Sequence, residues 1–191
     1  MLFKAPMVRA LLDGSKTQTR RVMKPQPYRE DYMAEDGVRR QFAMLSPYGQ
    51  VGDLLWVRET LGHNADKGHY YAATGMYVGP LLDYEREPSP SVGIPARTIP
   101  SIHMQRWASR ILLEIVSVRV ERLQDISESD AIAEGIEKTP QGFWSLYGQH
   151  ETNGTFNPRT SFRALWQSIN DAGSWPANPW VWVIEFKRVT P

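Results

Sequence analysis

Apolar residues recur along this chain in two rhythms, one near the helical period and one strictly alternating. Met7, Ala10 and Leu11 fall on one face of a short N-terminal helix. Pro6 suits its first turn, where a missing N–H is no loss, and Gly14 stands where a left-handed residue would end it. The following "TQTRRVM" reads as a strand. "GDLLWVRE" reads as a turn and a strand from Leu54 to Glu59, and "HYYAAT" as another. The longest alternation is "RILLEIVSVRVERL", with Val116, Val118 and Val120 on one face and Ser117, Arg119 and Glu121 on the other. Ser127 then caps a helix, Asp130 completes a capping box, and Gly135 ends it. "NPRTSFRALWQSIN" is the clearest helix: Asn157 caps it, Pro158 fills its first turn, and Phe162, Leu165, Trp166 and Ile169 form one stripe. In "PWVWVIEFKRV", Trp180, Trp182, Ile184 and Phe186 oppose Val181 and Val183. Apolar residues on both faces predict a central strand.

Between these elements lie three stretches without periodicity, about 24–51, 60–106 and 137–156. The first is rich in Pro, Tyr, Arg and acid and reads as an insertion loop with a hairpin in "RRQFAML". Residues 79–101 hold five prolines and predict an irregular connection. Strands that do not alternate regularly with helices argue against a doubly wound sheet. The expected fold is a single α+β domain over 1–191: a small, mostly antiparallel β-barrel with flanking helices and long loop insertions.

Composition narrows the function without naming it. The 191 residues suffice for one domain with a real core. Lys plus Arg is 22 and Asp plus Glu is 21, so any pull on nucleic acid or membrane must come from a local patch. The absence of cysteine excludes disulfides, thiolate nucleophiles and Cys-ligated zinc. No apolar run approaches the roughly 18 residues of a membrane span, and "MLFKAPMVRALL" does not read as a signal peptide. A cytoplasmic protein without membrane contact is expected. His63, His69, His103 and His150 are scattered, so neither a metal nor a cofactor is expected. Seven tryptophans in so short a chain are mostly core mass, though indoles also stack on bases.

Chemistry concentrates in "DGSKTQTRR", Asp13 to Arg21. Lys16 is a cation whose pKa falls when buried or crowded by like charge, and Arg20 and Arg21 are its neighbours. A neutral lysine is a general base. Thr17 and Thr19 offer hydroxyls that a base would turn into nucleophiles. The arginines suit a phosphate, a carboxylate or a base edge. A regular strand would point Lys16 away from Thr19, so their meeting requires a bend that Gly14 permits. The competing reading is a solvated, basic helix end.

Residues 14–21, Gly-Ser-Lys-Thr-Gln-Thr-Arg-Arg, resemble the G-x-K-x-x-(acid or Thr)-x-R signature of the ASCH superfamily. The order of elements is similar too: a short helix before it, the "GDLL" strand start at 52–55, and a final strand like "WVIEFKRV". "PMVRALLDGSKTQTRRVMKPQP" and "SIHMQRWASRI" look like ASCH proteins of phages and prophages. The resemblance implies a PUA-like barrel with a cleft beside the signature, and a nucleoside-like small molecule or single-stranded RNA as partner. One small branch of the family hydrolyses N4-acetylcytidine with a lysine, a threonine and a glutamate. By position these fall on Lys16, Thr19 and, through the helix start, Glu134. The chain is almost twice as long as that branch.

The resemblance thus implies a metal-independent amidohydrolase, with Lys16 as base, Thr19 as nucleophile and Glu134 as proton donor. Thr17, Arg20, Arg21, Arg106 and Trp107 are the candidate binding residues, with Tyr70 or Tyr71 as a further wall. Glu134 would lie in the last turn of its helix, where the dipole disfavours a carboxylate. Two alternatives stand beside this: a non-catalytic RNA-binding module using Lys16, Arg20, Arg21, Lys24 and Arg106 on phosphates, and a phage accessory protein with a protein partner.

Overall fold

A computed structural model describes residues 1–28, 31–78, 97–147 and 154–189. The N-terminal helix α1 spans Ala5–Asp13, and Gly14 closes it with a left-handed φ of 82°. Strand β1, Gln18–Val22, follows directly. After it comes helix α2, Asp36–Met44. The expected hairpin in "RRQFAML" is therefore a helix. Its Val38, Phe42 and Ala43, at helical spacing, pack half-buried against the core, a stripe too short to be told from a strand in the sequence.

Strand β2 is short, Leu54–Trp56, and does not run on to Glu59. Val57 and Glu59 are buried, and Val57 N–H still donates to Ile111 O at 3.0 Å. A hairpin follows, β3 Leu61–Asn64 with β4 Gly68–Tyr71. Only its second strand is apparent in the sequence; Gly62 and His63 hide the first. At Gly62 a Cβ would stand 2.2 Å from a Tyr70 ring atom, so glycine there admits the tyrosine across the hairpin. The Pro-rich connection falls mostly outside the described residues.

Strand β5, Leu112–Arg122, and strand β6, Trp180–Val189, form the longest pairing. A bulge between Ile115 and Ser117 shifts their register. It explains why the inward positions run Leu113, Ile115, then Val118 and Val120, leaving Val116 exposed. The alternation read as continuous through Val116 is thus broken once. Helix α3, Glu128–Ala133, begins at Ser127, whose hydroxyl accepts from Asp130 N–H. Helix α4, Pro158–Ile169, begins at Asn157, whose side chain accepts from Thr160 N–H.

The main sheet is ordered β1-β6-β5-β2 and is antiparallel throughout. It curls into half a barrel with β1 and β2 as its edges. The fold is α+β, and β6 is central. Its Val181, Val183 and Ile184 are sealed from solvent, and Phe162, Leu165 and Trp166 of α4 join the same core. A second, smaller cluster packs Leu61, Tyr71, Val78, Ile99, Met104 and Ala108 around the hairpin. No described helix is long and apolar enough to cross a membrane.

Candidate functional site

The bend between α1 and β1 is fixed by three backbone hydrogen bonds. Lys16 N–H donates to Ala10 O, Thr17 N–H to Ala133 O, and Phe186 N–H to Thr17 O, each at 2.9 Å. The segment is thereby tied to the ends of α1 and α3 and to β6. Lys16 and Glu134 pair as an isolated antiparallel bridge. Gly135 makes this approach possible. Its φ is 76°, and a Cβ there would stand 2.7 Å from Lys16 Cβ and 2.9 Å from Ala10 Cβ. Any side chain would wedge the α3 terminus away from Lys16.

Lys16 Nζ donates to Glu134 Oε2 at 2.9 Å, to Glu134 O at 2.7 Å and to Gln18 O at 2.8 Å. Three acceptors match the three protons of an ammonium. Burial lowers the Lys16 pKa below its ordinary value; the Glu134 carboxylate opposes this, while Arg21 and Arg20 add to it. Lys16 was expected opposite Thr19. Instead it spends its donors on Glu134 and the backbone, and no hydrogen bond joins the two side chains among the described residues.

Behind this pair lies a charge network. Arg20 is fully buried, with Nη1 on Gln18 Oε1 at 2.5 Å and Glu134 Oε1 at 3.2 Å. Its Nη2 reaches Glu121 Oε1 at 2.5 Å and Asp130 Oδ2 at 3.0 Å. Arg119 bonds Glu121, Asp130 and Glu185, and Gln18 Nε2 donates to Asp130 and Glu185. The Asp130 carboxylate, expected to fold back onto its own helix start, serves these partners. Burial works against its ionisation, yet the Gln18 hydrogen bond and the charges of Arg119 and Arg20 prevail and lower its pKa. Arg20 is thus a counter-ion to three carboxylates inside the fold, and its Nε is a buried donor without an acceptor. Glu134, expected to be discouraged from ionising by the helix end, is held by two cations.

Strand alternation turns Thr19 and Arg21 to the face opposite Gln18 and Arg20. A cavity of about 360 Å³ opens beside this strand, and Arg20 lines it as well as Thr19 and Arg21. Thr19, Arg21, Lys24 and Glu134 line it with Tyr48, Phe162, Leu165, Trp166 and Trp182. The Thr19 side chain is buried and has no hydrogen-bond partner among the described residues. The Trp166 indole N–H is likewise a buried donor without an acceptor. Arg21 Nη2 donates to Leu2 O at 3.0 Å, and its guanidinium lies 5.4 Å from the Phe3 ring centroid.

Of the residues singled out in the sequence, Lys16, Thr19, Arg20, Arg21 and Glu134 come together. Thr17 is exposed and does not line the cavity. Arg106 and Trp107 lie elsewhere, on a short 3₁₀ turn, Arg106–Ala108. Trp107 is 46% exposed and bonds Gln105, while Arg106 lies over Trp56. Tyr71 belongs to the smaller core, its hydroxyl donating to Ala108 O. Among the described residues no group of His, Cys, Asp or Glu is placed to hold a metal; His150 lies outside them.

The sequence concealed the α4 wall and the Gln18–Asp130–Arg119–Glu185 network. A signal for the network existed: Glu185 is the one acid of the central strand and follows five apolar residues, and such a charge needs partners. No protein-family model, no curated protein and no solved structure matches this chain.

Proposed function

We propose that this is an ASCH-type, PUA-like protein whose cavity takes a nucleoside-like molecule, and that the Lys16–Glu134 pair with Thr19 hydrolyses an N4-acylated cytidine-like substrate. The observation that carries this reading is a buried amine–carboxylate pair, 2.9 Å apart, beside a cavity lined by an unengaged threonine hydroxyl.

The chemistry is acyl transfer. Lys16 begins as an ammonium, and burial favours passing one proton to Glu134 across their hydrogen bond. The two groups share a hydrogen bond, so the pair rather than Lys16 alone acts as the base. It takes the Thr19 proton as the Thr19 oxygen attacks the acyl carbon. Arg21, in the cavity wall, stabilises the developing oxyanion. The C–N bond then breaks, and Glu134, which lines the cavity, returns a proton to the leaving exocyclic nitrogen. Water releases the acyl group from Thr19 as a carboxylate. Tyr48, Phe162, Trp166 and Trp182 supply aromatic surface against which a base can stack.

The competing RNA-binding reading is weaker at two of its phosphate contacts, because Lys16 and Arg20 are ion-paired within the protein. Arg21 and Lys24 in the cavity wall, and Arg106 on its 3₁₀ turn, remain for it.

Incubation with N4-acetylcytidine tests the proposal. Cytidine should form, and Glu134→Gln and Lys16→Met should lower the rate by about a hundredfold or more, as general acid–base groups do. No cytidine from the parent protein, or equal rates in both variants, overturns it.

A further inference from the structure

Glu134 lines the cavity, and each of its oxygens is held by a different cation. Oε2 accepts from Lys16 at 2.9 Å and Oε1 from Arg20 at 3.2 Å. A glutamate carboxyl held on one side only turns easily about its last bond, because the rotation is broad and two-fold. The second cation removes that freedom. With Arg20 on Oε1, Oε2 is the oxygen that meets Lys16.

Arg20 is itself fixed. Its side chain is sealed from solvent. Nη2 is anchored on Glu121 Oε1 of β5 at 2.5 Å and on Asp130 Oδ2 of α3 at 3.0 Å, which leaves Nη1 to face Glu134. Asp130 and Glu134 stand one helical turn apart, joined by the bond from Glu134 N–H to Asp130 O at 2.9 Å. Two acids so spaced repel each other. One planar fork with a nitrogen on each reverses that and ties both to β1. Gln18 fixes the two cations relative to each other: its backbone O accepts from Lys16 Nζ at 2.8 Å, and its Oε1 from Arg20 Nη1 at 2.5 Å. The Phe162 ring of α4, its centroid 5.7 Å from the guanidinium carbon, backs the arginine.

We propose that Arg20 is a positioning residue for the Lys16–Glu134 pair: its fork, anchored on Glu121 and Asp130, holds Glu134 Oε1 so that Oε2 stays on Lys16 while a proton passes between them. It acts through Glu134 and makes no bond to the substrate. This deepens the amidohydrolase reading and rests on it for the reaction, though not for the clamp.

Steady-state kinetics with N4-acetylcytidine compare the parent with Arg20→Lys and Glu185→Gln. Arg20→Lys keeps the charge and gives up the fork. Its kcat should fall about tenfold to a hundredfold, as for a displaced reacting group. Its KM should stay within about twofold, because no substrate contact is lost. Glu185→Gln breaks the outer part of the same network, on Arg119 and Gln18, and should keep the parent's kcat. Parent kcat in Arg20→Lys, an equal loss in Glu185→Gln, or a loss confined to KM overturns the assignment. If Arg20→Lys does not fold, Asp130→Asn replaces it; with one anchor removed, kcat should fall about threefold or more, and the same results overturn the assignment. If the parent makes no cytidine, the amidohydrolase reading falls and the clamp is judged without substrate. Exchange of the Lys16 ammonium protons, followed by ¹H–¹⁵N NMR, should then be about tenfold faster in the folded clamp variant and unchanged in Glu185→Gln. Equal exchange in the parent and the clamp variant ends the clamp.

Discussion

Lys16 Nζ stands 2.9 Å from Glu134 Oε2 although 118 positions separate the two residues, and both side chains are withdrawn from water. Such a pair is costly to assemble, because each ion gives up its hydration. The structure recovers that cost with a second cation on Glu134, two backbone acceptors on Lys16 and a glycine where the chains must touch.

Breaking the pair from one side should be worse than replacing both partners. Glu134→Leu leaves an uncompensated buried ammonium and should cost about 3–5 kcal/mol. Lys16→Met/Glu134→Leu should cost clearly less than the two single losses combined. Urea unfolding of the four proteins checks this. Strict additivity would mean that the two side chains do not interact.

Gly14 and Gly135 both adopt positive φ, yet they should respond differently to alanine. Gly14 has open space around a built Cβ, whereas Gly135 has two Cβ atoms within 3 Å of it. Gly14→Ala should cost about 1–2 kcal/mol, the left-handed penalty alone. Gly135→Ala should cost more and should also displace Lys16. Denaturant midpoints give the first result, and the amide shifts of Lys16 and Thr17 give the second.

The pH dependence of Asp130 follows from its lowered pKa. The unfolded chain binds its proton more readily than the native state does. Its contribution is therefore present above the ordinary aspartate range and lost as pH falls through the native pKa. Stability measured between about pH 5 and pH 2 should fall less in Asp130→Asn than in the parent. An identical acid profile would contradict the network as drawn.

Lys16 has the opposite sign. Its native pKa is below its unfolded value of 10.5, so between the two the unfolded state holds more protons. Its penalty is complete below the native pKa and is relieved as pH rises toward 10.5. Tyr147, pushed up to about 12 by burial, destabilises the native state above pH 10. The informative quantity is thus the parent-minus-Lys16→Met difference at and below pH 10, which should move in the parent's favour as pH rises. A flat difference would contradict the burial of the amine.

Local chemistry made much of this fold readable. Gly14 and Gly135, Ser127 and Asn157 act on their immediate neighbours, and the helix ends follow from them. The central position of β6 was legible because both its faces are apolar. Features that depend on distant parts of the chain were not. The bulge at Ile115–Ser117 is set by the pairing of β5 with β6, so the run of valines conceals it. Helix α2 packs Val38, Phe42 and Ala43 half-buried against the core, but so short a stripe does not separate helix from strand in the sequence. At the site, residue types near Lys16 pointed to chemistry, but partner choice did not follow from spacing. Arg20 faces inward because β1 turns alternate side chains to opposite faces, and the carboxylates it meets come from β5 and α3. Arg106 and Trp107 had a suitable composition and the wrong location.

The most direct measurement concerns Thr19, whose hydroxyl is assigned the bond-making role. Thr19→Val preserves shape and removes only the oxygen. With N4-acetylcytidine, the parent should release cytidine through an acyl adduct that mass spectrometry of the quenched protein locates on Thr19. The folded valine variant should form neither adduct nor cytidine. Cytidine released by the valine variant at the parent's rate, or by neither protein, would contradict the proposed chemistry.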